Sequence, residues 1–225
     1  MPSTTIYSST DDCHISQEST QSWAQAMGNG NSTGTRQSTH TSYDWSVYGI
    51  YSGSRGTNTF RNRRAFFDFD LSSLSIGTVT AATLSIYSKN FGDTGDYDDV
   101  VVVATRDWDE DDTDYGKIFT SGASTTLVNT YSSGDSFDSS SYAYESIALN
   151  STAISDINNK VGSGTFYLAV INKEFDYKGA APQLNGDYTQ IGMTFADDSD
   201  SSIRPKLELT YTEAGADSIL FGTNF

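Results

Sequence analysis

The sequence predicts an all-β protein, an antiparallel two-sheet β-sandwich with one short helix, and three observations point to it. In residues 62–87, Phe67 and Phe69 alternate with Asp68 and Asp70, and Leu84 and Ile86 alternate with Thr83, Ser85 and Tyr87. That period of two marks strands buried on one face. The chain has 14 Tyr, 12 Phe and three Trp against three Pro, with Ser, Thr and Gly spread among them, so strand formers alternate with turn formers. Its 225 residues contain no proline-rich or low-complexity linker, which fits one domain over residues 1–212 and a tail over 213–225.

Taken in order, Ile6 to Ile15 is expected as a first strand. Residues 16–60 are polar and rich in Gly, Asn, Ser and Thr, and are expected as a long decorated loop region. Its aromatic side chains have two readings: plugs for the open edge of the sandwich, or, with Trp23, Tyr43, Trp45, Tyr48 and Tyr51, a stacking platform for sugar rings or a partner surface. Leu71 to Ile76 forms a loop with apolar plugs before Gly77, and Asp93-Thr94-Gly95-Asp96 turns the chain before a strand at Val100 to Thr105. A Ser-rich connection from Gly122 to Tyr142 holds a short strand at Thr125 to Tyr131. The helix begins near Asn150 or Ser151, both fit for an N-cap, puts Ile154, Ile157 and Val161 on one face, and ends at Gly162. Phe166 to Ile171, Tyr188 to Phe195 and Leu207 to Tyr211 supply further strands, the last two separated by a polar turn at Asp197 to Ser202. Phe67, Phe69, Leu84, Ile86, Leu168, Val170, Leu207 and Leu209 are the expected core.

The hairpin from Asn62 to Tyr87, with its Phe-Asp-Leu-Ser end, Gly turn and Ala-Thr-Leu restart, resembles the opening hairpin of the DNRLRE domain family. These are jelly-roll modules that include alginate-type carbohydrate-binding domains. Further matches follow in the family's order: Val100 to Thr105 running into Arg106, Asp107, Trp108, Asp109, Glu110 and Thr113, the helix at Ser151 to Val161, the strand at Phe166 to Ile171, and the closing strand Arg204 to Tyr211. The hexapeptide that names the family is absent, and Tyr115 stands where a second Trp is common. The resemblance implies a jelly roll and a carbohydrate ligand, and it casts Trp108 as a tryptophan that closes the sandwich end.

Twenty-nine acidic residues against 13 basic ones give a net charge of −16, which repels phosphate backbones and anionic lipid; nucleic acid and membrane are not expected partners. Cys13 is the only cysteine, so no intrachain disulfide forms. Asp107, Asp109, Asp111, Asp112 and Asp114, with Glu110, offer oxygen ligands for calcium, against the plainer reading of a solvated acidic loop. Arg61, Arg63 and Arg64 form the one dense basic spot, fit either to pair with carboxylates such as Asp68 or to meet a uronic-acid polymer or partner surface. No catalytic residue is expected: Cys13 and His14 adjoin on one strand and face opposite ways, and His40 is the only other histidine.

Met1 to Tyr7 has neither the basic region nor the apolar core of a signal peptide. The expected function is therefore a non-enzymatic bacteriophage virion protein, assembled in the host cytoplasm and exposed as a capsid decoration protein or a tail fibre or spike component, with glycan binding as an added role. The alternative is an extracellular carbohydrate-binding module of a secreted polysaccharide-degrading system. Ile219, Leu220, Phe221 and Phe225 crowd the tail and are expected to dock on another virion protein or a copy of this chain. No cofactor beyond calcium is expected.

Overall fold

The computed structural model describes residues 1–40, 44–54, 57–93, 99–121, 124–132, 135–136, 142–182 and 188–213. Twelve strands occur among them: β1 (Ser3–Tyr7), β2 (Cys13–Ser19), β3 (Thr35–Gln37), β4 (Asp44–Ser54), β5 (Thr57–Asp70), β6 (Val79–Asp93), β7 (Asp99–Ala104), β8 (Asp135–Ser136), β9 (Ala143–Ala148), β10 (Thr165–Asn172), β11 (Tyr188–Met193) and β12 (Lys206–Tyr211). Two α-helices, α1 (Trp23–Met27) and α2 (Ser151–Lys160), complete the regular elements. All pairings are antiparallel, and they fold the strands into two facing layers, as the sequence predicts. One layer runs β3-β2-β5-β10-β7-β8 and the other β9-β6-β12-β1; β4 and β11 pair with each other and with β5 and β6, closing one side.

Period-two residues fill the space between the layers. Phe67 lies opposite Leu168 and Phe69 opposite Phe166, while Leu207 faces Leu84 and Leu84 faces Ile147 across the second layer. All eight expected core residues are fully buried there. Helix α2 caps one end of this core. Asn150 accepts hydrogen bonds from the backbone amides of Thr152 and Ala153, Ala153 and Ile157 turn inward, and Asn158 bonds both backbone groups of Val79 at 2.8 and 3.0 Å, tying the helix to the start of β6.

Several expectations need correction. The Ile6–Ile15 segment is two strands, β1 and β2, broken by a turn at residues 8–12. Residues 16–60 are not a long loop: they hold the end of β2, α1, β3, β4 and the start of β5. Polar, Gly-containing runs such as Trp45 to Ser54 become strand because their partners on β5 and β11 satisfy the backbone, whatever their side chains. Residues 125–131 make only isolated bridges, at Thr130 and Leu127, rather than a strand.

The strand β5 is buried on both faces. Phe66 and Phe67 are each fully enclosed, Asp68 is 6 % exposed, and Val100 to Val103 are buried as a continuous run. The second face belongs to an outer cluster in which Cys13, Ile15, Phe66, Val101, Val103, Ala169 and Ile171 meet Tyr115, Ile118 and Phe119 from the connection after β7. Beside it α1 packs Trp23 and Ala26 against Phe175, which sits on a π-helical turn, Lys173–Tyr177.

Arg64 joins these pieces. It is fully buried on the outer face of β5, and its Nε and Nη2 donate to the two carboxylate oxygens of Asp176 at 2.6 and 2.7 Å. Its Nη1 donates to the carbonyl of Tyr115 at 2.7 Å and its Nη2 to that of Met27 at 2.6 Å, while the guanidinium lies 4.1 Å from the centre of the Tyr115 ring. The Tyr115 hydroxyl donates to the carbonyl of Ala26 and accepts from Asn62. Such a bidentate pair is the geometry in which a buried arginine holds its charge.

Two outcomes follow. Phe69→Ala lowers unfolding free energy by about 3 to 5 kcal/mol in urea titration, and a loss below about 1 would place that ring outside the core. Asp176→Ala, which strands a buried guanidinium, costs a similar amount of roughly 3 to 5 kcal/mol; a near-neutral result would mean that the outer cover is not held by this pair.

Candidate binding groove

A groove of about 320 Å³ opens at the end of the sandwich where β7 ends, β10 begins and α2 passes over them. Its wall is Tyr167, and its rim carries Arg106, Asn129, Asn159 and Lys160, all exposed. Alternation along β10 explains the wall: Phe166 and Leu168 point into the core, so Tyr167 points out. Trp108, the first aromatic residue after β7, lies nearly parallel to it, with ring planes 10° apart and centroids 5.5 Å apart, and its ring also meets Phe66 at 5.6 Å, tilted by 52°. Trp108 thus packs against the outer cluster and backs Tyr167.

The floor is Tyr131 and Phe166, whose rings stack at 5.4 Å. The Tyr131 hydroxyl donates to Asp156 at 2.8 Å, and burial first, with that carboxylate second, raises its pKa far above the usual phenol range. Tyr131 is therefore a fixed neutral donor. Arg106 is held in place by a 3.0 Å bond from Nη2 to the carbonyl of Gly30. An aromatic wall, amides on the rim and two cations together suit a hydroxylated ring that stacks on one face and hydrogen-bonds at its edges.

Trp23, Arg61, Arg63 and Arg64, singled out in the sequence, do not line this groove. Trp23 is 4 % exposed and spends its indole N–H on the carbonyl of Phe175 at 3.1 Å, so it is a core residue and not part of a stacking platform. Trp45, Tyr48 and Tyr51 enter only through the backbone of β4, and Tyr43 lies outside the described residues, as do Ile219, Leu220, Phe221 and Phe225. Arg61 pairs with Glu18 at 2.6 Å, and Arg64 is the buried hub, so carboxylates do claim these arginines, though Asp68 is not the one. Arg63 is half-buried beside His14. The described rings that do face solvent are Tyr7 and Tyr142, near the outer face of the β6/β12 layer, and Tyr177. On that face Tyr144 and Tyr87 have their hydroxyls committed to backbone carbonyls of Arg204 and Tyr142.

The acidic loop is built from its own carboxylates. Asp114 is fully buried and accepts from the backbone amides of Asp109 and Asp111, while Asp111 accepts from Thr113, the two forming a capping box around a short 3-10 turn, Asp112–Gly116. Asp112 accepts from the amide of Arg36 at 2.7 Å, and Lys117 reaches Asp107 at 2.7 Å and Asp109 at 2.5 Å. Asp107, Asp109, Asp111, Asp112 and Asp114 are each answered by a protein donor, and among the described residues no three His, Cys, Asp or Glu groups converge as a metal site.

The reactive groups are sequestered. Cys13 faces the outer cluster and burial pushes its thiol up to about 12. His14 faces the other way, as alternation on one strand requires, and burial, Arg63 and His40 hold its pKa down to about 2. Its ring lies 4.7 Å from that of His40, which stacks on Phe195 at 4.3 Å. Sequence spacing gave no hint that the two histidines meet, because β2 and the segment after β3 are brought together only by their pairing. Nearby, Asp12 is fully buried and accepts from the amide of Ala196, and desolvation raises its pKa well above the carboxylate range.

A group whose folded pKa is raised contributes its full stability below its unfolded pKa, about 4, and that contribution falls as pH rises from there through the folded value. Asp12→Asn, which keeps an acceptor for Ala196, is therefore expected to stabilise the protein at pH 7 and to have no effect near pH 3.5; equal destabilisation at both values would contradict this. Chelator and millimolar calcium are both expected to leave the melting temperature unchanged, whereas a calcium-dependent rise would reveal a site in the acidic loop.

No protein-family model matches this chain, and a search of curated proteins finds no match to it.

Proposed function

We propose that this chain is a non-enzymatic binding and structural protein that holds a carbohydrate chain in the groove between α2 and the β7/β10 end, and that it works on the surface of a virion. The observation that carries the binding role is the Tyr167 ring, backed by Trp108 and flanked by Arg106, Lys160, Asn129 and Asn159. A non-catalytic role is supported by the burial of Cys13 and His14, whose pKa values are displaced away from neutrality in the directions that keep a thiol protonated and an imidazole uncharged. The virion setting rests on the sequence reading alone, and the jelly-roll resemblance supports the carbohydrate ligand. A rigid, strongly acidic module suits an exposed particle surface, where charge opposes self-aggregation.

Arg106 and Lys160 favour an acidic glycan locally, while the net charge of −16 opposes one at long range. Salt separates the two effects. Retention on immobilised polysaccharides, acidic and neutral, is expected with a Kd on the order of 10 μM to 1 mM. Tyr167→Ala and Lys160→Ala should each weaken it about tenfold or more, equivalent to about 1.4 kcal/mol, without lowering the melting temperature by the amount a core substitution does. No retention on any polysaccharide at low salt would overturn the binding role.

A further inference from the structure

Carboxylates crowd the place where the turn at residues 8–12 carries the chain from β1 to β2, and so from one layer of the sandwich to the other. The turn is fastened to both layers. The amide of Ser8 donates to the carbonyl of Pro205, just before β12, at 2.9 Å, and the amide of Ser9 donates to the carbonyl of Asp68 on β5 at 3.2 Å. Asp12, fully buried, closes the turn by accepting from the amide of Ala196, after β11, at 2.9 Å. Asp68 and Asp197 stand close enough to Asp12 to repel its charge, and Asp11 and Glu110, from the turn and the acidic loop, act in the same way on Asp68.

This cluster is poorly answered. One oxygen each of Asp12, Asp68 and Asp197 is buried with no hydrogen-bond donor, and the Ser8 hydroxyl beside Asp12 reaches no partner of hydrogen-bonding geometry. Among the described residues no lysine or arginine forms an ion pair with Asp12 or Asp68. Buried carboxylates that repel one another and lack a cation favour their protonated forms. Burial first, with the neighbouring carboxylates adding to it, raises the pKa of both Asp12 and Asp68. His14 does not titrate in their place, because burial, Arg63 and His40 hold its pKa down to about 2, and His40 commits its amide to Asp197 at 2.6 Å.

We propose that Asp12 and Asp68 form a proton-held clasp: while they are protonated the 8–12 turn bridges the two layers, and as they ionise the turn and strand β1 come away from β12. Strand β1 is the piece that yields. Among the described strands it pairs only with β12, and its residues alternate between exposed and half-buried, whereas β2 lies between β3 and β5 with Cys13 and Ile15 fully buried. Linkage sets the direction: with folded pKa values raised, the stabilisation is complete below about pH 4 and declines as pH rises through the folded values, so the clasp is closed in acid and opens toward neutral pH. Opening bares the β12 edge that β1 covers.

Amide hydrogen–deuterium exchange of the full chain from about pH 4.5 to about pH 8, corrected for the intrinsic pH dependence of exchange, tests this. Protection of residues 3–12 should fall about tenfold or more relative to that of α2 across this range. Asp12→Asn and, independently, Asp68→Asn should each keep the turn protected at the upper pH and flatten the profile. Asp70→Asn, at an exposed carboxylate on the same strand as Asp68, should leave the profile as it is in the unmodified chain. Constant protection of residues 3–12 over this range, or a pH dependence that survives both Asp12→Asn and Asp68→Asn, as it would if His40 were the titrating group, would overturn the inference.

Discussion

The side chain on which most of the structure depends is Arg64. A sandwich of two sheets needs one buried face per sheet, yet here the β5/β10/β7 layer is covered twice, and the second cover is made of short, irregular segments with few regular hydrogen bonds of their own. Arg64 collects those segments. Through its guanidinium it fixes the C-terminal end of α1 at Met27, the 3-10 turn at Tyr115 and the π-helical turn at Asp176, three pieces far apart in sequence. A fully buried guanidinium is costly unless every partner is present, so the cover closes as a unit.

The binding groove inherits its shape from that closure. Trp108 rests on Phe66 and holds Tyr167 flat, and Arg106 is anchored to the carbonyl of Gly30, in the segment that follows α1. The acidic loop after Trp108 is fastened in turn by Asp114 and Lys117. The acidic residues after Trp108 hold that loop through one another's backbone amides and Lys117. The rings of the groove and Arg106 are therefore held in place, which is what the proposed carbohydrate ligand would need if little binding energy is to be lost on ordering the protein.

The fold and the inner core were legible because both obey simple alternation: Phe67, Phe69, Leu84 and Ile86 point inward as their spacing requires. The outer cover was not, although one signal was in view. Four valines in succession at Val100 to Val103, and Phe66 beside Phe67, depart from alternation, and a continuous apolar run is the mark of a strand buried on both faces. Treating β5 as half-buried left Arg64 on the surface with its neighbours and Trp23 free to act as a platform. The groove was legible only in part. Trp108 was singled out, but its partnership with Tyr167 depends on the β5–β10 register, which local sequence does not specify. The meeting of His14 and His40 is hidden for the same reason.

The central claim is that a carbohydrate occupies the groove at the sandwich end and leaves the rest of the surface untouched. Amide hydrogen–deuterium exchange of the full chain with and without a retained polysaccharide tests it most directly. The account predicts slower exchange confined to residues 104–108, 128–131 and 156–167. Protection that falls instead on β4, at Asp44–Ser54, or no change anywhere at saturating ligand, would contradict it.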